Sequence, residues 1–290
     1  MIYLILAILC SSAVNILMRL SEKHARNSFV MFMANYAVCS LIALLFMQGR
    51  PFAPQEGMKF AVLLGLLSGA FYLASLTLLR LNIRKSGVML SSVFMKLGVL
   101  VPTLMAILFF REKPTVFQLI GFALAIAAIV LIYLEPKKGA EKTAEAPSSR
   151  GAAGAGAFLL LLLLIVSGLT ESMANIYDEL GAAAIKDHFL FCNFLTALAL
   201  SGAVALIRRE RITWKDILFG AAIGVPNYFC TRFLLLSLAE LQAVLVYPIY
   251  NIGAIILISL AGFFLFKERP GTRKLIGLAI IILALALLNI

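Results

Sequence analysis

The chain has 290 residues, 62% hydrophobic and only 13% charged, and a mean hydropathy of +1.02. So few charges cannot keep the surface of a water-soluble domain of this size wet, so a soluble globular protein is excluded and the apolar excess must face lipid. The formal net charge of +11 would suit a polyanion-binding protein, but the basic residues alternate from loop to loop in the pattern of a membrane topology signal, so nucleic acid is not the partner.

A membrane-spanning helix needs about 20 mostly apolar residues, because the hydrocarbon layer is about 30 Å thick and each residue rises about 1.5 Å. Ten runs qualify in chain order: 2–18, 29–47, 60–79, 86–110, 115–134, 156–177, 189–207, 217–237, 241–266 and 274–290. The first begins at Met1 without a preceding basic residue and is followed by Arg19, Lys23 and Arg26. That is the reverse of a cleavable signal, so a retained helix is expected. Stretches such as Leu159–Val166 are rich in Leu and Ile, and no run alternates as a barrel strand does. Cys10, Cys39, Cys192 and Cys230 lie inside apolar runs without CxxC spacing and read as packing residues.

Between the fifth and sixth runs lies EPKKGAEKTAEAPSSRGAAG, residues 135–154, with the composition of a flexible linker. It divides the chain into a first five-helix unit, 1–134, and a second, 155–290. The units repeat. Phe110-Arg111-Glu112-Lys113-Pro114 returns as Phe266-Lys267-Glu268-Arg269-Pro270, and Leu119-Ile120-Gly121 as Leu275-Ile276-Gly277, both at an offset of 156. Gly65 and Gly69 return as Gly220 and Gly224 at 155, and Asn15-Ile16 as Asn175-Ile176 at 160. Small drifts in offset are what loop insertions leave behind, so one duplication accounts for the set. Glu112 and Glu268 then sit at matching corners, where a carboxylate suits a helix start.

Loops 1–2, 3–4, 5–6, 7–8 and 9–10 carry 18 Lys and Arg, the remaining loops 5. Positive loops stay cytoplasmic, which places the 135–154 linker inside and both termini outside. Five helices per unit is an odd number, so the second unit must enter the membrane from the opposite face. The expected fold is all-α, ten transmembrane helices as two inverted five-helix repeats, an arrangement that offers two related conformations around a midplane site.

The repeated closing segments, FFREKPTVFQLIGFALAIAAIVLI and FLFKERPGTRKLIGLAIIILALALL, resemble the end of the EamA domain of the drug/metabolite transporter superfamily, and the resemblance covers the whole chain as two tandem units. The opening AILCSSAVNILMRLSE (Ala7–Glu22) is similar to the first helix of the small multidrug resistance branch. The resemblance implies a secondary transporter of small organic solutes, often an exporter, in a cytoplasmic (inner) membrane. It also implies, in the small branch, a first-helix Glu that carries the proton and competes with cationic cargo. Here that position is Ser11, and its equivalent 160 residues on is Glu171. A mechanism using two symmetric carboxylates is therefore out of reach.

Three charges fall within the apolar runs: Lys96, Glu171 and Arg232. Each costs roughly 2.5–3.5 kcal/mol at membrane depth unless it faces protein or water. Glu171 is the candidate proton carrier, its protonation and cargo binding excluding each other. The alternative is a structural ion pair of Glu171 with Arg232, or with Lys96. Lys96 reads as a receptor for a carboxylate or phosphate on the cargo, or as a partner for Glu171. The candidate substrate-binding set is Asn15, Asn35, Tyr72, Lys96, Glu171, Asn175, Asn193, Asn227, Tyr228, Tyr247, Tyr250 and Asn251. Asn35 and Asn193 occupy matching places, as do Tyr72 and Asn227, and Pro248 in the Tyr247–Asn251 run removes a helix hydrogen bond beside them. His24 and His188 form no ligand cluster, and no nucleotide-binding or hydrolase motif is present, so neither metal, cofactor nor enzyme chemistry is expected. The reading is a secondary active transporter of an amino-acid-like, other zwitterionic or cationic solute, working as a monomer in the bilayer. A passive facilitator or exchanger is the alternative, followed by a membrane-embedded enzyme or lipid-linked carrier handler.

Overall fold

The computed structural model describes residues 1–47, 57–101, 115–133, 150–182, 185–241, 243–267 and 271–288; among these there are ten α-helices and no strand. They are α1 (Ile2–Ser21), α2 (Ser28–Phe46), α3 (Met58–Ser86), α4 (Val88–Lys96), α5 (Val116–Tyr133), α6 (Arg150–Leu180), α7 (Lys186–Ile207), α8 (Trp214–Glu240), α9 (Ala243–Phe264) and α10 (Thr272–Leu288). At its C-terminal end α4 tightens into a single 3₁₀ turn, Leu97–Val99. Each expected apolar run thus overlaps one helix, the 102–110 part of the fourth run lying outside the described residues. The expected corners Glu112 and Glu268, and the 135–149 part of the linker, lie outside the described residues.

The largest departure is length. The third run ends at Leu79, whereas α3 continues through Arg80, Arg84 and Lys85 to Ser86. A charged residue ends the hydrocarbon-facing run, but main-chain hydrogen bonding continues unhindered into the headgroup layer. What stops α3 is Gly87, whose φ of 85° is open to glycine and strained for a residue with a Cβ. Among the described residues, six helices or helix segments each carry a stretch of at least 18 residues apolar enough to cross a bilayer. Their outward faces are apolar too: Leu45, Leu63, Leu206 and Phe264 are all exposed, as lipid-facing side chains must be.

Many helix contacts recur in pairs. α1 packs on α8 and α9, and α6 packs on α3 and α4. α2 packs on α8, as α7 packs on α3. α2 also meets α7, α4 meets α9 and α5 meets α10. For these contacts, adding five to each helix number reproduces another contact or the same one. The glycines show how closely. A Cβ on Gly65 or Gly69 would collide with Cys192 or with the Asn193 carbonyl of α7, and one on Gly220 or Gly224 with the Met31 or Asn35 carbonyl of α2. Likewise Gly98 lies against Gly168 of α6, while Gly253 lies against Ile8 of α1. Small residues let the main chains approach where lipid offers no hydrophobic drive for association.

Candidate functional site

Where α1, α3, α4, α6, α7, α8 and α9 converge they leave a cavity of about 150 Å³. Seven of the expected substrate-binding side chains line it: Asn15, Tyr72, Lys96, Glu171, Asn193, Asn227 and Tyr250. The contact of Gly98 with Gly168 brings the end of α4 against the middle of α6, and Ser167 Oγ donates to the Met95 carbonyl at 3.0 Å. Ser167 and Glu171 are four residues apart and so share one face of α6. That junction therefore sets Lys96 and Glu171 on the same cavity. Lys96 is 4% exposed, and its Nζ stands 3.8 Å from the centre of the Tyr250 ring. The ring face is electron-rich, so it holds a cation without neutralising it. Glu171 Oε2 is buried with no hydrogen-bond partner among the described residues.

The polar wall is tied down elsewhere. Tyr72 OH donates to Asn227 Oδ1 at 2.9 Å, so these matching positions of the two halves touch. Asn227 Nδ2 then donates to Asn35 Oδ1 at 3.3 Å, which puts Asn35 behind the wall. Ser92 Oγ donates to Asn15 Oδ1 at 2.8 Å, fixing α4 on α1. Asn193 Oδ1, at the cavity, has no hydrogen-bond partner among the described residues.

Other expectations come out differently. Arg232 does not pair with Glu171. Its Nη1 donates to Asp187 Oδ1 at 2.7 Å and to Tyr228 OH at 2.9 Å, and its guanidinium lies 4.1 Å from the centre of the Phe46 ring. The reason is helical phase and depth: Arg232 is one turn beyond Tyr228, beside the start of α7, outside the cavity that Glu171 faces. Tyr228 consequently serves that contact and does not line the cavity. Asn251 is 1% exposed, and neither of its amide atoms has a partner among the described residues. The side chains of Asn175, Tyr247 and Pro248 lie outside the described ones.

Sequence reasoning missed Ser68, Ser75, Ser167, Thr170, Cys230 and Thr231, all of which line the cavity. Short hydroxyl side chains are common in membrane helices and usually bond to their own main chain, as Thr170 does to Val166, so nothing in a run of letters marks them. Cys230 carried a signal that went unread. It is equivalent to Ser75 at the offset of 155, and its Sγ lies 3.2 Å from Tyr250 OH.

Against known proteins, residues 1–134 match the model of the EamA-like transporter family. Residues 1–134 therefore belong to that family. That family is part of the drug/metabolite transporter superfamily, and the match together with the long apolar helices supports a multi-pass membrane protein. An uncharacterized protein of Haemophilus influenzae (strain Rd) is similar to it, 23% identical over 287 residues covering 95% of this chain and 93% of that one. A solved crystal structure matches with a TM-score of 0.63 at 14% identity, covering 99% of the EamA-like chain and 94% of the other, which speaks to the fold alone.

Proposed function

We propose that the protein is a secondary active transporter that binds a small zwitterionic solute between Lys96 and Glu171 and exchanges it for protons by alternating access. The observation that carries this reading is Glu171, whose Oε2 has no hydrogen-bond partner among the described residues, in the same cavity as Lys96. A bare carboxylate at membrane depth is costly, so it must be neutralised by a proton or by a cation. A cargo ammonium and a proton would then compete for one oxygen pair, which couples their movements in opposite directions. Lys96, over the Tyr250 ring and without an ion pair within 4.0 Å among the described residues, is left to receive the cargo carboxylate. A cavity of about 150 Å³ is the size that accommodates a ring of about six carbons, so the cargo held in this conformation is small.

The wider reading is an inner-membrane protein acting as a monomer, with the basic loops and the 135–154 linker in the cytoplasm and both termini outside. The units 1–134 and 155–290 are related by inversion, and their matched helix contacts favour two conformations of similar energy.

The test is flux in proteoliposomes with and without an imposed pH gradient, using labelled amino-acid-like solutes and competing zwitterionic, cationic and anionic analogues. Zwitterions should compete best, and Glu171→Gln should abolish the gradient dependence while leaving the protein folded. Undiminished gradient dependence in that variant would sink the coupling role. Wild-type flux indifferent to the gradient would make the protein a facilitator. Product formation in detergent without flux would make it an enzyme.

A further inference from the structure

A second cavity, about 300 Å³, opens at the basic end of the bundle between the start of α2, the end of α3 and the end of α7. It sits at the lower bound of ordinary ligand pockets, about 300–1,000 Å³. Arg26, Arg80, Arg84 and Arg208 line it, with Glu210 as the only acid among the lining residues. Its acids are already engaged. Glu210 Oε2 accepts from the Phe29 and Val30 N–H groups at 3.2 and 3.3 Å, satisfying the first turn of α2. Glu22, just behind, pairs with Arg80 at 2.9 Å and with Arg84. Asp216 is the third carboxylate beside these four guanidiniums; it accepts from the Arg26 and Asn27 main-chain N–H groups at 2.8 and 3.2 Å and attracts Arg80, which leaves one positive charge in excess. Arg26 and Arg208 are the two guanidiniums without an ion pair among the described residues, and Arg208 rests 4.8 Å from the centre of the Phe29 ring.

The surroundings decide what could bind. The floor is apolar: Phe29, Phe32 and Leu81. Leu206 and Ile207, which precede Arg208, are each 80% exposed, and Leu81 is 41% exposed. Arg26 precedes α2, Arg84 is in the last turn of α3, and Arg208 caps α7, so all three sit where helices leave the hydrocarbon. A basic pocket at that depth with an apolar floor and apolar flanks suits a molecule that is anionic at one end and acyl at the other. Planar guanidiniums also match phosphate oxygens two at a time.

We infer that this pocket binds the phosphodiester headgroup of an anionic phospholipid, with Arg26 and Arg208 as its free cations and the acyl chains lying over Leu81, Leu206 and Ile207. Such a lipid bridges the halves, since Arg26 and Arg84 belong to the first and Arg208 to the second. The inference is separate from the cargo site and from its coupling.

The experiment titrates purified full-length protein in detergent with a short-chain phosphatidylglycerol, with phosphatidylcholine of equal chain length, and with inorganic phosphate, reading thermal stability. Phosphatidylglycerol should raise Tm saturably, because a ligand of the folded state stabilises it by mass action. Phosphatidylcholine and phosphate should give no comparable shift. In R26Q/R208Q the midpoint should rise about thirtyfold, from roughly fivefold per arginine near an anionic surface. An unchanged midpoint in that variant, or an equal shift from phosphate or phosphatidylcholine, overturns the inference. If R26Q/R208Q does not fold, R26K/R208K keeps both charges but loses the two-pronged geometry, and should retain binding with a weaker midpoint. Loss of selectivity for phosphatidylglycerol in the wild type overturns the assignment without any variant.

Discussion

The interior contacts and the charged groups of this protein treat the duplication in opposite ways. Gly65 and Gly69 press against α7 as Gly220 and Gly224 press against α2, and Gly98 faces α6 as Gly253 faces α1. The charges inside the helix bundle have no such partners. At the offset of 155, Lys96 corresponds to Asn251 and Arg80 to Leu235; at 160, Glu171 corresponds to Ser11 and Glu22 to Ala182. Close helix contact is a demand of main-chain geometry, and each half must meet it to fold. A charge in the membrane is a cost, kept only where one is needed. The difference teaches that the recurring contacts are scaffold, while the proposed cargo site takes its charges from residues without a repeated counterpart.

The largest effect expected lies with an unpaired charge. Glu22→Gln leaves Arg80, 2% exposed, without its carboxylate, and removing one partner of a buried pair costs about 3–5 kcal/mol. Thermal unfolding in detergent should show that loss. If Arg80→Leu, which copies Leu235, is milder than Glu22→Gln, the pair is dispensable as a unit; if it is harsher, Arg80 matters beyond the pair.

Next come the matched glycines. Gly69→Ala and Gly224→Ala should each destabilise by about 1–3 kcal/mol through overpacking, and by similar amounts. One variant tolerated and the other unfolded would break the comparison, because the two contacts would then not be equivalent.

The cavity can be tested by moving its acid. Glu171→Ser should reduce gradient-driven flux by about a hundredfold or more, the low end for loss of a positioned proton-transfer group at about 10²–10⁴-fold. Ser11→Glu combined with Glu171→Ser returns a carboxylate to the same cavity from the other half and should recover part of that flux. No recovery in a protein that still folds would mean that the position of the carboxylate relative to Lys96, as well as its presence, is required.

Two smaller effects complete the series. Tyr72→Phe removes the bond to Asn227 where the halves meet, which should cost about 0.5–1.5 kcal/mol in unfolding. Asp187→Asn should cost no more than about 1 kcal/mol, since Asp187 is 32% and Arg232 22% exposed.

Ten helices, their order and the duplicated glycines could be read directly from the letters, because hydrocarbon imposes one length and one polarity on every span, and because internal repetition is visible as recurring residues. The same logic marked Lys96 and Glu171, since charge in an apolar run stands out. Only the tertiary structure decided that these two share a cavity, that Arg232 turns to Asp187, and that Asn35 stands behind Asn227 while Asn193 faces the open space. Those outcomes depend on helix rotation and depth, which are set by close contacts such as Gly98 on Gly168. An apolar span looks alike at every rotation about its axis, so its sequence leaves that angle open until a neighbouring helix closes on it.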